Sequence, residues 1–110
     1  MTDAVLSRLA ATIKDRRAAA GDTSYTRQLL DAGPRRCAKK LGEEAAETII
    51  AALSEDDEAL TGEAADLVYH LIVLLESRGV AFDDVVATLE KRMGVSGLAE
   101  KEARKASSGC

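Results

Sequence analysis

Apolar residues in this chain recur at helical spacing, and no stretch alternates as a strand would. Leu6, Leu9 and Ile13 stand at i, i+3 and i+7. They predict a first helix from a cap at Asp3 to about Ala20, ended by Gly21. Asp22-Thr23-Ser24 reads as a loop, with Ser24 capping a short helix through Leu29 and Leu30. Gly33 stops that helix, and Pro34 suits the first position of a third, expected to reach Leu53. Ser54 followed by Glu55, Asp56, Asp57 and Glu58 predicts a cap and an acidic first turn. The fourth helix so begun runs to about Ser77, with Gly79 beyond it. A fifth is expected from Phe82 to Met93, with acids first, Lys91 and Arg92 last, and Gly94 as its stop. A further short charged helix is expected from Leu98 to Lys105.

The fourth segment is the most apolar. Leu67-Val68-Tyr69-His70-Leu71-Ile72-Val73-Leu74-Leu75 places apolar side chains in nearly every direction around a helix axis, which predicts burial on all sides. On the third, Ala45, Ile49, Ala52 and Leu53 form a stripe expected to pack inward. The fold class is therefore all-α, four to five helices in a bundle. Residues 1–106 are expected to form a single domain and 107–110 a flexible tail. Only three residues of 110 are aromatic, so the core rests on Ala and Leu and is thin for a solitary chain. A second copy completing it, most simply as a homodimer, is expected.

Two acidic pairs interrupt this pattern. Glu44-Ala45-Ala46-Glu47 and Glu63-Ala64-Ala65-Asp66 are separated by fifteen residues. Within each, the carboxylates lie about 60° apart around the axis and one turn along it. The second pair leads directly into the apolar run, where an ionised carboxylate must protonate, pair or bind a metal. Lys40 shares the stripe of Glu44 and Glu47. His70, one turn beyond Asp66, is a candidate to orient the acids. Four hard oxygen donors on neighbouring helices are a ligand set for Mg²⁺, with Mn²⁺ possible, and such ions serve phosphate chemistry. The alternative is a solvated face with an i,i+4 Lys40–Glu44 pair. Two such motifs on consecutive helices favour the metal.

Charge and cysteines narrow the partners. A net charge of −4 gives no general affinity for nucleic acid. Lys39 and Lys40, beside Glu44, read as local phosphate contacts. Cys37 and Cys110 have no metal-type spacing and read as reduced thiols of a cytoplasmic protein. No basic-then-apolar leader opens the sequence. The nine-residue run from Leu67 to Leu75 is far short of a bilayer span of ~20 residues.

Three stretches carry a family resemblance: Ser24-Tyr25-Thr26 with Leu29-Leu30; Lys39-Lys40-Leu41-Gly42-Glu43-Glu44-Ala45-Ala46-Glu47; and Glu63-Ala64-Ala65-Asp66-Leu67-Val68-Tyr69-His70. With the ending Arg92-Met93-Gly94-Val95-Ser96-Gly97-Leu98, they make the chain resemble the phosphoribosyl-ATP pyrophosphatases of histidine biosynthesis. These are all-α enzymes of the MazG-like pyrophosphohydrolase superfamily. The paired acids alone are shared across that superfamily; the Ser-Tyr-Thr segment, the Tyr-His pair and the Ser-Gly-Leu ending narrow it. Ala81 stands where relatives would carry a Ser cap, which touches the fifth helix and not the chemistry.

The resemblance implies hydrolysis of phosphoribosyl-ATP between its α and β phosphates, giving phosphoribosyl-AMP and pyrophosphate. It maps the metal-binding and catalytic acids onto Glu44, Glu47, Glu63 and Asp66. One of them, or Glu43, is expected to position or deprotonate water. Lys40 and, less directly, Lys39 are candidates for the phosphates. Ser24, Tyr25 and Arg27 are candidates for the ribose-phosphate end. Two other functions fit parts of the pattern: a house-cleaning pyrophosphatase of noncanonical nucleoside triphosphates, and a non-catalytic helical dimerisation module. The latter expects the four acids to be paired with Lys or Arg.

Overall fold

A computed structural model describes residues 2–94. They form five helices and no strand: α1 Thr2–Ala18, α2 Tyr25–Ala32, α3 Pro34–Ser54, α4 Asp57–Ser77 and α5 Phe82–Met93. The expected 98–105 helix and the 107–110 tail lie outside the described residues.

The ends of these helices follow local chemistry. Ser24 caps α2, its hydroxyl accepting from the Arg27 amide at 3.1 Å. Gly33 adopts φ 95°, a left-handed backbone that glycine tolerates without strain. There its N–H closes α2 on the Leu29 and Leu30 carbonyls, while its own carbonyl accepts from Cys37 in α3. One residue thus ends one helix and starts the next, with Pro34 supplying a fixed φ where no amide donor is needed.

Two caps differ from expectation. Helix α1 begins at Thr2, so Asp3 lies within it, and it stops at Ala18. The cap of α4 is Asp56, whose carboxylate accepts from the Ala59 amide at 2.9 Å. Ser54 is instead the last residue of α3, its hydroxyl bonded back to the Ile50 carbonyl at 2.8 Å. A serine can satisfy itself on the i−4 carbonyl inside a helix, whereas a carboxylate gains from the positive end of the helix dipole. Helix α5 has the expected bounds, and Ala81 gives it no side-chain cap.

Helices α3 and α4 form an antiparallel hairpin, in which Glu44 meets His70 and Thr48 meets Glu63. Helices α1 and α2 cover one end of it. The core there is Ile13, Leu29, Cys37, Ile72 and Val73, with Leu9, Leu30, Val68, Tyr69 and Phe82 packed around them. Polar ties lock the layers together. Arg17 of α1 holds both the carboxylate and the carbonyl of Glu76. Thr26 of α2 is buried and hydrogen-bonds the Tyr69 hydroxyl on α4.

The outer face of α3 departs from the sequence reading. Ile49, Ile50 and Leu53 are 60%, 55% and 82% exposed, and Ala52 is exposed as well. Cys37 and Ala51 are the buried residues of α3, with Glu44 and Thr48 engaging α4 between them. In the single chain Glu44 and Thr48 thus face α4, Ala45 of the expected stripe is half-buried, and Ile49, Ala52 and Leu53 face outward. For the same reason α4 is only partly enclosed: Ile72 and Val73 are buried, while Leu67, Leu71 and Leu75 are half-buried. No described helix is long and apolar enough to cross a membrane.

Candidate metal site and its surroundings

The antiparallel hairpin brings the two acidic motifs together. Glu44, Glu63 and Asp66 each offer a carboxylate oxygen within 4.8 Å of the others. Such crowding of like charges is unfavourable unless a proton or cation intervenes. The Glu44 carboxyl is pushed up to about 7, first by the hydrogen bond that its protonated form makes with Glu47, then by burial and by repulsion from Glu47, Asp66 and Glu63. Burial raises the Glu63 carboxyl too, with the charges of Glu47 and Asp66 adding to it. Glu47 is therefore electrostatically part of the cluster, although it stands outside the close trio.

The donor set fits a hard divalent cation. One Glu44 oxygen, Oε2, is buried without a hydrogen-bond partner, which is costly for a carboxylate. Among the described residues, none of the four acids forms a salt bridge with Lys or Arg; Glu44 meets only His70, at 3.8 Å. Oxygen-only ligands from two rigid helices suit Mg²⁺ or Mn²⁺.

Thr48 fixes the spacing of the two helices at this point. Its hydroxyl lies 2.8 Å from the Glu44 carbonyl and 3.2 Å from the Glu63 carbonyl. It thus spans the backbones of one acid from each motif. Thr48→Val keeps the shape and removes the hydroxyl. It is expected to cost about 1 kcal/mol of stability, read as a lower urea midpoint at unchanged slope.

The remaining candidates occupy distinct positions. Lys40 lies near Tyr25 and Glu44, and Glu43 holds its ammonium at 3.0 Å. That hydrogen bond raises the Lys40 pKa and lowers that of Glu43, so Glu43 is a weak proton acceptor. Lys39 is exposed on a different side of α3. Tyr25 is half exposed, its ring edge-on to His70 at 6.1 Å. Ser24 serves as the α2 cap. Arg27 donates to the Arg16 and Ala19 carbonyls at the end of α1 and to Asp31; its observed work is to clamp α1 onto α2. Thr48 was not legible as a site residue, because a threonine within a helix carries no signal of what it faces across the hairpin. A cavity of about 440 Å³ lies elsewhere, between α1 and the start of α5, lined by Lys14, Arg17 and Phe82.

Comparison with known proteins agrees with this geometry. Residues 6–93 match the phosphoribosyl-ATP pyrophosphohydrolase family. A phosphoribosyl-ATP pyrophosphatase of Nitrobacter winogradskyi is 57% identical over 96 residues, covering 87% of this chain and 83% of the relative. Phosphoribosyl-ATP pyrophosphatase 1 of Bradyrhizobium diazoefficiens is 56% identical over 97 residues, 88% of this chain and 92% of its own. The Dinoroseobacter shibae phosphoribosyl-ATP pyrophosphatase is 53% identical over 100 residues, 91% of this chain and 98% of its own. With the matched segment spanning all but the beginning of α1 and including both acidic motifs, the chain belongs to the phosphoribosyl-ATP pyrophosphohydrolase family.

Proposed function

We propose that this chain hydrolyses phosphoribosyl-ATP to phosphoribosyl-AMP and pyrophosphate, the second step of histidine biosynthesis, at a divalent-cation site built on the α3–α4 hairpin. The observation that carries the chemistry is the convergence of Glu44, Glu63 and Asp66 with no basic partner among the described residues. The substrate follows from the family. Glu44, Glu63 and Asp66, with Glu47 beside them, hold Mg²⁺ or Mn²⁺. When bound, such an ion neutralises triphosphate charge, polarises the attacked phosphorus and acidifies a water.

The protein's own groups do the rest. Glu44 gives up its shared proton when the cation binds, and the two rigid helices keep the carboxylates in place without reorganisation. Lys40, restrained by Glu43, faces the phosphates as a point charge. Tyr25, next to Lys40 and His70, borders the nucleotide. Lys39 is a further phosphate contact from outside this cluster; Ser24 and Arg27 support the site by holding α2.

The functional unit is a homodimer. Ile49, Ile50 and Leu53 are exposed along α3, an apolar surface that a second copy would cover. Gel filtration with light scattering is expected to give twice the chain mass; a monomer at working concentration would contradict this.

A house-cleaning role shares every metal argument and is separated by substrate. Pyrophosphate release is compared for phosphoribosyl-ATP, dATP and dUTP under the same conditions. Turnover of phosphoribosyl-ATP far above the other two is the expected result. Preference for the deoxynucleotides would move the chain to the house-cleaning group.

A further inference from the structure

The chain has one histidine, and it is buried at the inner edge of the acid cluster. His70 is 5% exposed. Its Nε2 lies 3.8 Å from Oε1 of Glu44. Its other nitrogen, Nδ1, is buried and has no hydrogen-bond partner. Two rings fix the imidazole plane: Tyr69 at 5.0 Å and Tyr25 at 6.1 Å, both edge-on. The side chain is therefore held from two helices, with Nε2 3.8 Å from Oε1 of Glu44.

We infer that His70 is a positioning residue, whose Nε2–H holds Oε1 of Glu44 and so keeps Oε2 for the cation. The inference rests on the reading of Glu44 as a cation ligand. A neutral imidazole carries one N–H, and the two tautomers differ sharply here. A proton on Nε2 faces a carboxylate oxygen. A proton on Nδ1 would be a buried donor with no protein acceptor, and Nε2 would turn a lone pair toward that carboxylate. The present separation exceeds a hydrogen bond by about 0.8 Å, and the inferred contact requires Oε1 of Glu44 to close that gap. The two Glu44 oxygens then have separate tasks: Oε1 is held from behind by α4, and Oε2 is left for the cation. Outer partners that orient a ligand in this way commonly alter metal affinity by 10–100-fold when removed.

This differs from a relation between His70 and Asp66, its neighbour one turn away on the same helix. The group at 3.8 Å is Glu44, across the hairpin. His70 thereby couples the two acidic motifs through a side chain, as Thr48 does through the backbone.

Two measurements on the full chain test it. The first is the ¹⁵N NMR tautomer of His70 in metal-free protein at pH 8, unambiguous because no other histidine exists. The Nε2-protonated form is expected; the Nδ1-protonated form would overturn the inference, whether or not metal binds. The second is calorimetric Mn²⁺ titration. His70→Phe fills the volume without a donor and is expected to weaken binding at least tenfold, while His70→Gln, which retains a donor, stays within about threefold of the parent. Parent-like binding by His70→Phe would overturn the positioning role and leave the cation site intact. Absence of saturable Mn²⁺ binding in the parent itself would overturn the cation reading of Glu44, and this inference with it. Should the Phe variant not fold, the tautomer still decides.

Discussion

Glu44→Gln is expected to lower kcat/KM for phosphoribosyl-ATP by about 10²–10³-fold, the scale for losing one charge-stabilising group in an active site. In the metal-free protein at pH 8 the same change is expected to raise the melting temperature. The two effects share one cause. Glu44 sits among three other carboxylates, its own pushed up to about 7, so its ionised form is held at a cost that only a cation offsets. Gln keeps the volume and removes both the repulsion and the ligand. Steady-state kinetics in Mg²⁺, with thermal melts in EDTA, check both halves. A variant with parent activity would remove Glu44 from the site. A variant both inactive and less stable without metal would place Glu44 in the fold's support and not in a cation site.

Mg²⁺ is expected to stabilise the protein more at pH 8.5 than at pH 6.5. The sign follows from proton counts. An acid whose folded pKa is raised binds more protons folded than unfolded. Its stabilising contribution is full below the unfolded value near 4.5 and is lost as pH rises through about 7. Glu63, also raised, acts in the same direction. His70 acts oppositely, because burial lowers its pKa and its contribution is lost as pH falls below about 6.5. Above that pH the carboxylates dominate. Metal-free protein should therefore melt at lower temperature at pH 8.5 than at pH 6.5. Saturating Mg²⁺ should remove most of that difference, since the cation-bound form keeps its carboxylates ionised at both pH values. At a hundredfold excess over Kd the gain is about 2.7 kcal/mol. Thermal melts at the two pH values with EDTA or Mg²⁺ read this directly, and equal Mg²⁺ shifts at both would contradict it.

Helix order and most boundaries were legible in the sequence because the caps are local chemistry. Ser24, Gly33 with Pro34, and Gly79 act through their own backbone or the next few amides. Ser54 misled because serine can either cap a helix or bond back within it, and only the following residues' conformation decides. The acidic motifs were legible as a pair, since each spacing places two carboxylates on one helix. The inward face of α3 was not. Hydrophobic periodicity turns Ile49 and Leu53 toward the core, yet here they lie outside while Glu44 lies inside. A stripe reads the same whether it covers a core or awaits a second chain. The role of Arg27 depends on where α1 ends in space, and the contact of His70 with Glu44 depends on helix register. Neither is encoded by spacing along one helix.

We propose that the four acids act through a divalent cation. The most direct test of this is pyrophosphate release from phosphoribosyl-ATP by metal-stripped protein, titrated with Mg²⁺. The expected result is no release in EDTA and a saturable return with Mg²⁺ that Glu63→Gln shifts to higher concentration or abolishes. Full release in EDTA, unchanged by added Mg²⁺, would contradict it.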